Sequence, residues 1–120
     1  MTPEDLVGRC LSLPGAEETF PFGDGHAVLK VGGKMFAIVG LGDEPATISL
    51  KCDPALAVLL REAHAAVAPG YHLNKQHWNT VTWDGSLDDD LVDEWIEHSY
   101  ELVVASLTRK ARLLLGLDAT

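Results

Sequence analysis

The sequence predicts an α+β domain in which an antiparallel sheet is flanked by an N-terminal helix and a long C-terminal helix. Three observations carry this. Two apolar runs of strand length, 27–31 and 34–39, are separated only by Gly32 and Gly33, and a two-residue glycine loop supplies the positive φ that tight antiparallel hairpins need. Thr2-Pro3 and Asp53-Pro54 each place a capping side chain directly before a proline suited to the first helical turn. A third helix start is acidic, at Leu87-Asp88-Asp89-Asp90, and bases appear only far downstream of it, the polarity that the helix dipole favours.

Taken in order, the first helix opens at Thr2 and puts Leu6, Val7, Cys10 and Leu11 on one face before Pro14-Gly15 ends it. Residues 13–25 hold Pro14, Gly15, Pro21, Gly23 and Gly25, a density of breakers that predicts no regular structure there. The hairpin follows, then a turn over 40–45. Residues 46–51 alternate as a third strand, with Ile48 and Leu50 on one side and Thr47, Ser49 and Lys51 on the other. The second helix starts at Asp53-Pro54 with a stripe of Leu56, Leu59, Leu60 and Ala63, and 67–68 lead into Pro69-Gly70. Residues 79–83 read as a further strand, closed by Asp84-Gly85. The last helix is expected to run to Leu114, with Leu91, Trp95, Leu102, Val103 and Leu107 buried and Arg109, Lys110 and Arg112 near its end. The element order is α-β-β-β-α-β-α, with helices covering an antiparallel sheet.

A chain of 120 residues, 47% of them apolar, is expected to be one domain, 1–120, with a real core. No apolar run approaches the roughly 20 residues that span a bilayer. The opening Met1-Thr2-Pro3-Glu4-Asp5 lacks the basic-then-apolar layout of a signal peptide. The expected location is the cytoplasm, with no membrane partner and a monomer rather than an obligate oligomer. Cys10 and Cys52 are then expected as reduced thiols, and no spacing suits zinc. The net charge of −9 comes from the flanks: residues 24–82 hold five acids, five bases and four of the five histidines. That total argues against a strongly basic nucleic-acid binder but leaves room for one modest basic patch.

The run from Pro69 to Val81 mixes Tyr71, His72, Asn74, Lys75, Gln76, His77, Trp78 and Asn79. Two readings stay open. In one, Lys51, His72, Lys75, His77 and Trp78 form a phosphate-binding and stacking patch, which Lys30 and Lys34 extend through the hairpin. In the other, Trp78 and Tyr71 are core rings, and the polar side chains tie down an irregular segment. The hairpin lysines also suit an ordinary sheet edge. His72 and His77 are badly offset for one metal, with no third ligand, so no metal site is expected. The cluster Asp88, Asp89, Asp90, Asp93 and Glu94 is explained by the helix start. Glu97, His98 and Ser99 are consecutive helical residues about 100° apart and form no relay. Gly32 and Gly33 join two strands, so they are not a phosphate loop. Neither catalytic residues nor a cofactor are expected, and no enzymatic activity.

Several short motifs recur together along the chain: Pro14-Gly15, Pro21-Phe22-Gly23, Gly33-Lys34-Met35-Phe36, Ser49-Leu50-Lys51-Cys52-Asp53-Pro54, Pro69-Gly70-Tyr71-His72-Leu73-Asn74-Lys75, His77-Trp78-Asn79-Thr80-Val81 and His98-Ser99-Tyr100-Glu101-Leu102-Val103. In these motifs and their order the chain resembles the MmcQ/YjbR family of small, mostly bacterial proteins. The resemblance implies a fold similar to frataxin and CyaY, and with it a link to proteins that bind iron through acidic surfaces. It also implies the family's label of double-wing DNA-binding protein, which rests on fold comparison. The functional expectation is therefore weak DNA binding through a sheet-and-loop surface carrying Lys30, Lys34, Lys51, His72, Lys75, His77 and Trp78. The alternative is a non-enzymatic module that binds a protein or small ligand, with Tyr71 and Trp78 as its aromatic anchor.

Overall fold

The computed structural model describes residues 1–70 and 73–117. The elements run α1 (Pro3–Leu11), β1 (Glu17–Thr19), β2 (His26–Val31), β3 (Lys34–Gly40), β4 (Thr47–Lys51), α2 (Pro54–Ala63), β5 (Val67–Pro69), β6 (Trp78–Thr82), α3 (Asp89–Ser106) and α4 (Arg109–Leu114). The six strands form one sheet in the order β1-β2-β3-β4-β6-β5, with every neighbouring pair antiparallel. The α+β architecture and the long helix near the C-terminus are as the sequence predicts.

Strand alternation builds the core on one side of this sheet. Ala27, Leu29 and Val31 of β2, Ala37 and Val39 of β3, Ile48 and Leu50 of β4, and Val81 of β6 are all buried in one cluster. Leu6, Val7 and Cys10 of α1 and Val92, Trp95, Ile96, Tyr100 and Val103 of α3 join it. A bulge in β3 lets Phe36 turn to the same side, where its ring meets Tyr100 edge-on at 5.5 Å. Asn79, on that side of β6, reaches the backbone of α2 at Ala57. Among the described residues the helices therefore lie over one face and leave the other without a helix.

Polar groups within this layer are matched. Ser99 Oγ, fully buried on α3, donates to the Phe36 carbonyl and accepts from the Lys51 N–H at 2.9 Å, joining the helix to β3 and β4. The Tyr100 hydroxyl donates to the Pro14 carbonyl at 2.6 Å, holding the chain after α1. At the hairpin tip Gly32 and Gly33 have φ of 60° and 80°, the signature of a type I′ turn. A Cβ at Gly32 would also strike Leu107 at 2.7 Å, so the tip is tucked against the end of α3.

Four sequence expectations are corrected. Residues 13–25 are not wholly irregular, because Glu17–Thr19 adds a three-residue edge strand to β2. Val67–Pro69 is likewise a strand, pairing with β6, rather than a mere lead into a turn; both segments are too short to show periodicity. The last helix is broken. Leu107 is extended, and Thr108 caps a separate α4 by accepting from the Ala111 N–H, so Arg109, Lys110 and Arg112 belong to α4. The apolar stripe of α2 is only partly used: Ala57 is its buried residue, while Leu59 is 60% exposed, because α2 packs at one end of the sheet, on the short edge strand β5 and its neighbour β6.

Candidate binding cleft on the helix-free face

The register fixes what the helix-free face carries. Two rows cross the sheet from β2 to β6: His26, Gly40, Thr47 and Thr82, then Val28, Ile38, Ser49 and Thr80. Beyond them the bulge in β3 breaks the register, leaving Lys30 paired with Met35 and Lys51 paired with Trp78. The alternation that sends Ile48 and Leu50 to the core sends Thr47, Ser49 and Lys51 here.

A cleft of about 540 Å³ lies over these two rows. Its floor is Ile38, Ser49, Thr80, Gly40 and Thr47. Its walls come from outside the regular strands: Phe22 from the loop between β1 and β2, Asp43 from the β3–β4 turn, and Leu73 from the loop before β6, with His26 at the start of β2. Phe22 is 62% exposed, an uncommon state for a ring that serves only packing. Ser49 Oγ and Thr80 Oγ1 share a hydrogen bond of 2.8 Å on the floor. The Thr47 hydroxyl donates to the Asp43 carboxylate. A Cβ at Gly40 would collide with that carboxylate and with Thr47 Oγ1, so this glycine makes room for Asp43 against the sheet. The crevice on the opposite face, between α2, α3 and the strands, is only about 10 Å³, room for about one water molecule.

The expected site residues divide among different places. Lys30 and Lys51 are both on the helix-free face, outside the cleft lining. Lys34 pairs with Val31 and so lies on the helix side; its Nζ donates to the Ser106 carbonyl at 3.2 Å and to Ser106 Oγ at 3.3 Å. There it satisfies a backbone acceptor at the end of α3, and the hairpin tip is docked rather than projecting. Lys75 is exposed on the turn before β6. His77 is half-buried, and its carbonyl accepts from the Cys52 N–H at 2.7 Å. Trp78 is only 7% exposed, with little ring surface to offer a base. Its carbonyl accepts from the Gly70 N–H at 2.8 Å, and a Cβ on Gly70 would strike its side chain. His72 and Tyr71 lie outside the described residues.

The polar residues around Trp78 hold backbone. The Asn74 side chain accepts from the Gln76 N–H at 2.9 Å. Arg61 of α2 donates to the Lys75 carbonyl and, through Nε at 2.7 Å, to the buried Asn79 side chain. Asn79 in turn donates to the Ala57 carbonyl at 3.3 Å. Asp53 N–H donates to His98 Nε2 at 3.4 Å. Cys52 is buried, and burial lifts its thiol above the ordinary value, which suppresses the thiolate that nucleophilic or redox chemistry would need. Arg9 of α1 pairs with Asp93 and Asp89 on α3, so part of the acidic cluster is an inter-helix tie. Among the described residues no group of three or more His, Cys, Asp or Glu side chains is arranged to hold a metal ion, and no helix is long and apolar enough to cross a membrane.

Sequence reasoning did not single out Phe22, His26, Ile38, Asp43, Thr47, Ser49, Leu73 or Thr80 as a site. The available signals were the alternation of Thr47 and Ser49 and an aromatic residue set among Pro21, Gly23 and Gly25. Neither tells which loops fold over which rows.

The family model described as YjbR matches residues 11–102, from the end of α1 into α3, and so includes the whole sheet and the cleft. The uncharacterized protein YjbR of Escherichia coli K12 is 39% identical over 115 residues, covering 96% of this chain and 98% of that protein. The uncharacterized protein YbdF of Escherichia coli O157:H7 is 35% identical over 100 residues, covering 83% and 82%. A crystal structure of a Deinococcus radiodurans protein superimposes with a TM-score of 0.91 at 43% identity, over 99% of this chain and 91% of that one. A Pseudomonas syringae protein matches with a TM-score of 0.73 at 25% identity, over 85% and 98%. With the family's pattern running through the sheet and with relatives that match nearly end to end, this chain belongs to the YjbR family.

Proposed function

We propose that the helix-free sheet face is the working surface, and that the protein is a binding module, not an enzyme, holding a small and largely apolar molecule in the cleft over Ile38, Ser49 and Thr80. The observation that carries this is the cleft's size and lining: about 540 Å³ walled by Phe22 and Leu73, with a few polar groups converging on it. Ligand sites are typically about 300–1,000 Å³, mostly apolar, with a small number of placed polar groups. The Ser49 and Thr80 hydroxyls share a hydrogen bond on the cleft floor, placed polar groups of the kind that orient a bound molecule. The test is an amide NMR titration with uncharged bicyclic fragments such as indole. Shifts should cluster at residues 22, 38, 49, 73 and 80, and S49W, which fills the cleft, should remove them. Fragments that bind only elsewhere would overturn the reading.

One observation favours a second reading, weak DNA binding by the same face. Lys30 of β2 and Lys51 of β4 face the same side of the sheet two strands apart, on the order of 10 Å at ordinary strand spacing. Two or three phosphates met by Lys30, Lys51 and Lys75 would give a log-affinity slope against log salt of roughly −2 to −3. K30A with K51A should flatten that slope by about two for every DNA sequence alike. No retention of DNA at low salt by the folded protein would end this reading and leave the ligand cleft standing.

A further inference from the structure

Building on the ligand cleft, we infer that its ligand carries a protonated amine attached to an apolar or aromatic body. Among the described lining residues Asp43 is the one carboxylate and His26 the one imidazole, and there is no lysine or arginine. The Asp43 carboxylate is positioned: the Thr47 hydroxyl donates to one oxygen, and the bare backbone of Gly40 lets the group lie against β3. A carboxylate has about four acceptor sites, so the Thr47 contact leaves further acceptors on this cleft-lining residue. The ion pairs among the described residues are those of Arg9 with Asp89 and Asp93, so no protein cation neutralises Asp43 there. Lys51 is four residues beyond Thr47 on β4, about 13 Å along the strand, and lies outside the lining. The charge complement of the cleft is thus a cation at the Asp43 end. An ammonium there gains charge-assisted hydrogen bonds, while the attached body covers Ile38 and Leu73 beneath the exposed Phe22 ring. A carboxylate or phosphate in the same place would face the Asp43 charge with no lysine or arginine of the described lining to meet it.

The test compares tryptamine with indole-3-propionate, the same ring bearing opposite charges, by amide NMR titration at about pH 8, where an alkylamine is charged and an ordinary histidine is neutral. Tryptamine should shift the amides of residues 38–43, 47–49 and 80, and should bind on the order of tenfold tighter than the carboxylate. D43N should abolish that preference while leaving the spectrum folded. G40A, which displaces the carboxylate without deleting it, should reduce the preference in the same direction. Equal binding of both compounds in the cleft, or a preference untouched by D43N, would overturn the amine assignment and leave the cleft reading intact. If neither these compounds nor indole perturbs the cleft, the cleft reading fails and the amine assignment with it.

Discussion

The two faces of the sheet are made by the same strands and do opposite work. On the helix side, β2, β3, β4 and β6 present Ala, Leu, Val, Ile and Phe to α1 and α3, and the few polar groups there, such as Ser99 and Asn79, are bonded. One residue away along each strand, the other face presents His26, Lys30, Thr47, Ser49, Lys51 and Thr80 around Ile38, and is covered only in part by loops. Stability is concentrated where apolar area is removed from water. Recognition is available where the sheet supplies a stiff floor and mobile-length loops supply the walls. Neighbouring residues on one strand therefore answer to different pressures.

The largest expected effect contrasts two phenylalanines. Phe36 is fully buried against Tyr100, whereas Phe22 is mostly exposed at the cleft. F36A should cost about 3–5 kcal/mol in denaturant unfolding, and F22A within about 0.5 kcal/mol while weakening cleft ligands. An F22A loss as large as that of F36A would show that the cleft wall is part of the core.

Adjacent positions on β6 sharpen the contrast next. N79A leaves the Ala57 carbonyl and the Arg61 Nε without their side-chain partner, a cost of about 1–3 kcal/mol. It should also raise hydrogen exchange over residues 74–77. T80A, on the other face beside Ser49, should cost about 1 kcal/mol or less. Ser99, which bridges α3 to two strands, belongs with Asn79: S99A should cost about 1–3 kcal/mol.

Cys10 probes the covered face by pH. Burial pushes its thiol up from 9.0 to about 12. The unfolded thiol ionises first as pH rises, so the unfolded state binds fewer protons above pH 9 and the native state loses stability between about pH 9 and 12. C10A should flatten that decline in a pH series of unfolding curves. Native Cys10 should resist alkylation at pH 8 and react once the chain is unfolded, read by mass spectrometry. The most local effect is at the start of α1, where Thr2 accepts from the Asp5 N–H and Asp5 accepts from the Thr2 N–H. T2A should cost about 0.5–2 kcal/mol. Those hydrogen bonds hold the Asp5 carboxyl below its ordinary value, so their contribution is present above the unfolded carboxylate range and is lost as pH falls through the folded one.

The sequence by itself determined the elements whose causes are local. Gly32 and Gly33 dictated the hairpin, Thr2-Pro3 and Asp53-Pro54 dictated two helix starts, and the alternation at 47–51 dictated which side chains share a face. Tertiary structure decided everything that depends on distant partners. The strands 17–19 and 67–69 exist because β2 and β6 offer edges to pair with. Lys34 is turned from a surface cation into a tether by Ser106, 72 residues away. Trp78 is buried by its strand position and Gly70. The cleft brings Phe22, Ile38, Asp43, Leu73 and Thr80 together from five separate stretches. Periodicity reports which side of a strand a residue takes, because that is set by adjacent backbone geometry. Which loop closes over that side depends on strand order and register, which arise only when the non-local pairings form.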